Sequence, residues 1–312
     1  MSGTAPIRIG TRGSKLALWQ AGAARDALIA AHGFALDAIE IVPITTSGDK
    51  IRDRPLSEAG GKGLFSKEIE AALLKGDIDI AVHSAKDMET VLSPGLMIGA
   101  CLEREDVRDA LVARNDFTLD ALPSGARVGT ASLRREALLR RARPDLRVEL
   151  LRGNVPTRVG KVDAGEVDAA LLAAAGLKRL GMESHISELM PLESFPPACG
   201  QGTIAIECRE DDARMRERLA TLDHHETSVA LACERAFLGA LGGSCKTPVA
   251  GYARIDEGVL RFDGVIISED GSESYEASGS GDPADAADIG EAAGSDVRGR
   301  APAAFLKRLG IG

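Results

Sequence analysis

Aromatic side chains are scarce in this chain of 312 residues: one Trp, two Tyr and seven Phe make up 3% of it. Positive charge is in deficit too, with a formal net charge of -9. A nucleic-acid-binding surface calls for a basic domain with interleaved stacking aromatics, so both shortages argue against that class of partner. Long apolar runs are missing as well. None approaches the roughly 20 residues needed to cross a bilayer, and no apolar signal-type stretch follows Met1, so no membrane partner and a cytoplasmic location are expected. Cys101, Cys199, Cys208, Cys233 and Cys245 are odd in number, scattered, and without Cys-x-x-Cys spacing. That pattern suggests neither a disulfide framework nor a metal site. The remainder is ordinary: 44% hydrophobic and 27% charged residues describe a globular chain long enough for two or three domains. No sustained heptad or broad apolar stripe is evident, so a monomer is expected.

Against this acidic background, residues 129–161 hold nine Arg or Lys and three Asp or Glu. Gly129-Thr130-Ala131-Ser132 reads as a strand end running into a helix N-cap, followed by Arg134 and Arg135 in the first turn. Cations there oppose the helix dipole. A bound carboxylate or phosphate would remove the conflict, because amides and guanidinium forks would converge on it. Arg140, Arg141 and Arg143 fall on later turns, where cations suit the dipole and a solvated surface role is expected.

Strand and helix signals alternate. Residues 7–10 read as a strand, Ser14 as an N-cap, and Leu16, Leu18, Trp19, Ala23, Leu28 and Ile29 as the apolar side of a helix. Strands are expected at 38–44 and 78–82 and a helix at 64–75, with a long polar loop over 45–62. The plan then repeats. Arg8-Ile9-Gly10-Thr11-Arg12-Gly13-Ser14 parallels Arg127-Val128-Gly129-Thr130-Ala131-Ser132, and Gly76-Asp77-Ile78-Asp79-Ile80-Ala81-Val82 parallels Gly165-Glu166-Val167-Asp168-Ala169-Ala170-Leu171. Gly-Thr turns with Ser caps occur in many α/β folds, yet the double match suggests two copies of one α/β design with ligand-binding turns at the carboxyl ends of parallel strands. Beyond them, a helix over 227–241, strands over 248–255 and 259–268, and helical stretches within 284–309 describe a small α+β domain. Cys245 lies in its Gly-Gly-Ser-Cys-Lys-Thr-Pro turn, whereas Cys101, Cys208 and Cys233 sit in apolar elements and read as small buried hydrophobes.

Taken in order, Thr11-Arg12-Gly13-Ser14, Gly61-Lys62-Gly63-Leu64-Phe65-Ser66-Lys67-Glu68, His83-Ser84-Ala85-Lys86-Asp87, Gly129-Thr130-Ala131-Ser132-Leu133-Arg134-Arg135, Leu151-Arg152-Gly153-Asn154-Val155-Pro156-Thr157-Arg158, Gly176-Leu177-Lys178-Arg179-Leu180-Gly181 and Cys245 closely resemble the porphobilinogen deaminase (hydroxymethylbilane synthase) family over essentially the whole chain. The resemblance implies two similar α/β domains of the type 2 periplasmic-binding-protein kind around a cleft, plus a small α+β C-terminal domain. Its boundaries would be 1–102 with 201–221, 103–200, and 222–312. It implies a transferase of tetrapyrrole (heme) biosynthesis. Four porphobilinogen molecules would be condensed head to tail onto a dipyrromethane cofactor with release of ammonia, and water would then free the product.

By the same resemblance, Cys245 carries the cofactor through a thioether. Ser84, Lys86, Asp87, Thr130, Ser132, Arg134 and Arg135 bind the cofactor, and Arg12, Ser14, Arg152, Arg158 and Arg179 bind substrate carboxylates. Asp87 is the implied catalytic group, with Lys86 beside it, and no metal is implied. A pyrrole bearing two acids makes arginine-rich turns chemically apt, and a carboxylate beside the pyrrole N-H can stabilise the cation left by ammonia loss. Residues 45–62 correspond to the family's mobile loop. Gln201 and His83 read as structural instead. Two departures stand out: Met88-Glu89 where the family commonly has Val-Pro, and Ser244 where Gly often precedes the cysteine. A non-catalytic anion-binding protein is the rival class; it would need the arginines but neither Asp87 nor Cys245. A phosphate-binding pyridoxal or nucleotide enzyme is a weaker alternative, because Gly60-Gly61-Lys62-Gly63 lacks the P-loop spacing.

Overall fold

The computed structural model describes residues 6–50, 63–242 and 247–311. In chain order the strands are β1 (Ile7–Arg12), β2 (Ile39–Ile44), β3 (Ile80–Ser84), β4 (Leu96–Cys101), β5 (Asp109–Ala113), β6 (Arg127–Thr130) and β7 (Arg147–Leu150). They continue with β8 (Ala169–Ala173), β9 (Glu188–Leu189), β10 (Ile204–Arg209), β11 (Val249–Asp256), β12 (Val259–Ile267) and β13 (Ser274–Gly281). Two compact units result, Met1–Arg104 with Thr203–Ser228, and Glu105–Gly202 with Val229–Gly312.

The first unit holds the sheet β2-β1-β3-β10-β4, and the second holds β7-β6-β8-β5-β9. In each, three parallel strands are followed by a strand that enters antiparallel: β10 against β3, and β5 against β8. The sheets are therefore mixed, where alternating strand and helix signals had suggested parallel ones. The repeat extends to side chains. Asp79 accepts the Arg8 amide at 2.8 Å, and the Arg8 guanidinium donates to Asp79 and to the Gly76 carbonyl. Asp168 accepts the Arg127 amide at 2.8 Å, and Arg127 donates to the Gly165 carbonyl at 3.0 Å. One device thus joins the start of the first strand to the start of the third in both sheets. It fixes the register that pairs Ile9 with Ile80 and Val128 with Ala169.

Helices Lys15–His32 and Ala213–Ala220 bury Ala21, Ala24, Leu28 and Leu219 with Ile9, Ile80, Val82 and Ile206 of the first sheet. Each fully buried large aliphatic contributes about 1.5–3 kcal/mol. The helix Lys15–His32 buries Ala17, Gln20, Ala21, Ala24 and Leu28, so Leu28 lies on the expected apolar side whereas Leu18 and Trp19 lie exposed. Alanines let the helix approach the sheet closely, and large side chains there would hold it off.

In the second unit, Leu111, Val128, Leu138 and Leu171 pack together with Ala250, Val265 and Ile267 of the C-terminal sheet β11-β12-β13, so the two sheets share a core. Gly271 seals that junction: its φ is +76°, and a Cβ would stand 2.5 Å from the Ala137 carbonyl oxygen. Helix Ala286–Arg300 crosses helix His225–Leu241 closely, since a Cβ on Gly290 would meet the Cys233 carbonyl oxygen at 2.0 Å. Strand β13 has no counterpart in the sequence reading. Its Ser/Gly-rich sequence carries little strand propensity, and pairing with β12 along its whole length supplies the order instead. Among the described residues, no helix is long and apolar enough to cross a membrane.

Asp79→Ala removes one backbone and two guanidinium bonds, and Asp168→Ala one backbone bond and a guanidinium ion pair at 3.5 Å, at partly exposed positions. Each is expected to lower stability in urea unfolding by about 1–2 kcal/mol. A loss at one position only would contradict the shared device.

Candidate active site

The ends of β1, β2 and β3 form one edge of the first sheet. Thr11 is buried and donates to the Val82 carbonyl at 3.1 Å, which ties the first turn to β3. Ser14 then caps helix Lys15–His32, accepting the Ala17 amide at 3.2 Å. Between them Arg12 reaches sideways: its guanidinium binds both carboxylate oxygens of Asp49, and its carbon lies 4.1 Å from the centre of the Phe65 ring. Asp49 also accepts the Thr46 hydroxyl at 2.8 Å. Burial pushes the Asp49 carboxyl up, but bonds from Arg12 outweigh it and hold the group below its ordinary range.

At the end of β3, Ser84 exchanges hydrogen bonds with Gln20 at 2.9 and 3.2 Å. A single 3-10 turn, Ala85–Asp87, follows, with its first amide anchored on the Thr203 carbonyl at 3.0 Å. Ala85 is buried, Lys86 half-buried, and Asp87 exposed. The departure at Met88-Glu89 has a packing explanation. Met88 is buried, and Glu89 accepts the Gly63 amide, so the added acid is spent on the backbone near the end of the 45–62 loop. Of that loop, only residues up to Lys50 lie within the described residues. Behind the turn, His83 Nε2 stands 3.2 Å from Glu207 Oε2 with both groups buried, in keeping with a structural role for His83.

The second sheet offers the corresponding edge. Thr130 is buried and its Oγ1 accepts the Ser132 amide at 3.2 Å; Ser132 Oγ accepts the Arg135 amide at 3.4 Å and caps helix Leu133–Ala142. Arg134 and Arg135 do not project to solvent, being 3% and 5% exposed. Their conflict with the dipole is answered from within the protein by Asp109 at the start of β5. Arg134 Nη2 donates to both Asp109 oxygens at 3.1 and 2.8 Å, and Arg135 donates to Oδ1 through Nε at 3.0 Å and Nη2 at 2.8 Å. Gln201 Nε2 adds a bond to the same oxygen at 2.9 Å and another to the Val107 carbonyl at 2.7 Å, while its Oε1 accepts from Arg135. Burial pushes the Asp109 carboxyl up, and the two guanidinium groups overcome this and hold it well below its ordinary range. Burial pushes Arg134 down despite Asp109.

The reading of Gln201 as structural is thereby sharpened into a specific contact. Asp109 went unnoticed in the sequence; its signal was the alternation Glu105-Asp106-Val107-Arg108-Asp109 ahead of an apolar strand.

Farther along this edge, Arg152 follows β7 half-buried, and Asn154 caps helix Val155–Asp163, which carries the half-buried Arg158. Arg179 ends helix Ala174–Arg179 and donates to the Gly202 carbonyl at 2.6 Å. Burial lowers its pKa to about 10, against an opposing pull from Glu105. Lys178 pairs with Glu105 at 3.1 Å and Asp106 at 3.3 Å.

The solvated reading holds for Arg140, which pairs with Glu136, and for Arg141, which is exposed although its Nε donates to the Gly271 carbonyl at 3.2 Å. It does not hold for Arg143, which is half-buried and collects the carbonyls of Leu119, Asp120 and Leu122. Unpaired loop carbonyls recruit Arg141 and Arg143, which helix periodicity cannot reveal. Cys101, Cys199, Cys208 and Cys233 are buried thiols, with burial raising Cys208 to about 11 and Cys233 to about 12. Cys245 and Ser244 lie outside the described residues.

Two family models match in sequence: "Porphobilinogen deaminase, dipyromethane cofactor binding domain" over residues 7–217, and "Porphobilinogen deaminase, C-terminal domain" over residues 229–298. The chain belongs to the porphobilinogen deaminase family. A curated porphobilinogen deaminase of Nitrobacter hamburgensis is 52% identical over 298 residues, 96% of this chain and 94% of that protein. Among solved structures, the periplasmic VFT2 domain of Bordetella pertussis BvgS is 17% identical, covering 70% of this chain and 86% of that one at a TM-score of 0.38. A Salmonella typhimurium periplasmic binding protein with high arginine specificity is 12% identical, covering 70% and 92% at 0.39. Within the porphobilinogen deaminase match, 7–217, fall all the sequence-derived site residues except Cys245.

Asp106, beside this edge, is held at about 2 instead of its ordinary 3.8, chiefly by bonds from Arg108 and against its burial. A carboxyl depressed in the folded state stabilises fully above its unfolded value and loses that contribution as pH falls toward the folded value. The difference in melting temperature between the parent and Asp106→Asn should therefore be constant near neutrality and shrink from about pH 4 to pH 2. A difference that does not change over that window would contradict the assignment.

Proposed function

We propose that this chain is a transferase that joins four porphobilinogen molecules head to tail on a dipyrromethane cofactor, releases ammonia at each addition, and hydrolyses the linear tetrapyrrole free. The observation that carries the reading is Asp87, an exposed carboxylate on a backbone-anchored turn at the carboxyl end of β3, in a chain of this family. We assign its three functional regions to 1–102 with 201–221, 103–200, and 222–312.

The residues of the second edge suit an acidic group. Arg134 and Arg135 share one carboxylate, and the buried Arg134 Nε has no hydrogen-bond partner among the described residues. We assign them, with Ser84, Lys86, Asp87, Thr130 and Ser132, to holding the cofactor, and Cys245 to its thioether bond. When bound, dipyrromethane supplies the terminal ring carbon to which the first substrate ring is joined. Arg12, Ser14, Arg152, Arg158 and Arg179 take the acetate and propionate groups of porphobilinogen, for which a planar guanidinium fork is matched in shape and charge.

Asp87 accepts the pyrrole N-H and lies beside the positive charge that spreads over the ring as ammonia departs. As the ring displaces water from the turn, that attraction strengthens where the charge develops. The same carboxylate is placed to take the ring proton after coupling. Lys86, adjacent and half-buried, supplies a positive charge for an acid group of the bound pyrrole.

Asp87→Ala is expected to cut porphobilinogen turnover at least about a hundredfold while the protein stays folded. Turnover at the parental rate would remove Asp87 from the chemistry. Asp49 competes with substrate acids for Arg12, so Asp49→Ala should lower KM by about threefold with kcat within about twofold. A higher KM would mean that Asp49 orients Arg12 instead of masking it.

A further inference from the structure

Charge does not balance around Asp109. One carboxylate is hydrogen-bonded to two guanidinium groups, and the third partner, Gln201, is neutral, so the hydrogen-bonded group carries one positive charge in excess. All four side chains are buried, with Asp109 and Gln201 at 0%. A purely structural network gains by being neutral, because a net charge removed from water is costly unless something of opposite sign meets it. Arg12 with Asp49 in the first unit shows the contrast: one cation, one anion, and both partly exposed.

Donor accounting points the same way. Asp109 Oδ1 receives Arg134 Nη2, Arg135 Nε, Arg135 Nη2 and Gln201 Nε2 within 3.1 Å, which exhausts that oxygen. Arg134 Nη1 is taken by the Pro196 carbonyl at 2.6 Å and Arg135 Nη1 by the Leu171 carbonyl at 3.2 Å. The Arg134 Nε is buried without a partner among the described residues. A charged donor held out of water in this way calls for an acceptor. The position is equally specific. Asp109 pairs across the sheet with Ala173, the last residue of β8, so it stands at the same edge where β6 and β8 end. The N-terminus of helix Leu133–Ala142 begins there and adds partial positive charge of the same sign.

We propose that Asp109, braced by Gln201, is a positioning residue that sets Arg134 and Arg135 as a single anion-binding unit carrying one surplus positive charge for a pyrrole-borne carboxylate. Asp109 does not touch the ligand. It decides which way two flexible side chains point, and it cancels only one of their charges, so the pair is both ordered and still cationic. Gln201 ties this carboxylate to the Val107 carbonyl just before β5 and supplies order without neutralising the pair. A Glu at 201 would supply the order and erase the charge.

This inference rests on the assignment of Arg134 and Arg135 to the cofactor. The test follows covalent pyrrole uptake by intact mass after porphobilinogen is added to cofactor-free protein, together with kcat and KM of the loaded enzyme and the melting temperature. Asp109→Asn is expected to acquire the mass increments about tenfold more slowly, and its loaded fraction to show a raised KM with kcat changed less than about threefold; Asp109→Glu should recover most of the uptake rate. Gln201→Leu, which keeps all three charges, should fold with a lowered melting temperature and load about threefold more slowly. It decides the matter if Asp109→Asn does not fold. Parental uptake rates in the folded variants, with only the melting temperature lowered, would reduce Asp109 to a structural ion pair and overturn the inference while leaving the proposed function intact. No uptake by the parent would overturn the proposed function and this inference with it.

Discussion

Two guanidinium groups sharing one carboxylate, out of reach of water, leave a positive charge that their own network does not cancel. Much of the second unit is arranged around that fact. Strand β5 starts on Asp109, helix Leu133–Ala142 starts with both arginines, and Gln201 adds its amide to the same oxygen. Removing one partner from such a group strands the others, which makes the cluster obligatory once it is built. Its surplus then sets the chemistry of the edge: acids are drawn to it and cations are turned away.

The topology puts this charge where it can be used. In both sheets parallel strands end on one edge, and the same Arg-Asp device fixes the register that aligns those ends. From one plan the two units draw different side chains. The first presents a carboxylate, Asp87, on a turn held by the Thr203 carbonyl, with Arg12 engaged by Asp49 and Phe65. The second presents arginines: a buried pair, two half-buried ones, and Arg179, whose burial already weakens its hold on its proton. One α/β design, with the polar residues changed at the strand ends, thus yields two chemically different edges at little cost to either core.

Local signals in the sequence carried the repeat. Ser14 and Ser132 act as the N-caps their position after a Gly-Thr turn suggests, and the paired Gly-Asp segments become the Gly76-Asp79 and Gly165-Asp168 halves of one device. What escaped was non-local. Asp109 lies 25 residues from Arg134 in sequence, and only the antiparallel return of β5 brings them together. Leu18 and Trp19 have helical periodicity, yet the sheet packs against the other face, which carries Ala17, Ala21, Ala24 and Leu28. Strand β13 depends on a neighbour and not on its own propensities, and Arg141 and Arg143 serve carbonyls on distant loops. Propensity and spacing describe a segment by itself, whereas each of these outcomes was decided by what the segment packs against.

The central claim is that this chain builds a tetrapyrrole on a group it carries covalently, and the intact mass of the purified protein beside its Cys245→Ala variant tests it most directly. The account requires an increment of two linked pyrrole units on the parent, before or after incubation with porphobilinogen, and none on the variant. A parent that stays at its polypeptide mass under both conditions, or a variant that carries the same increment, would contradict it.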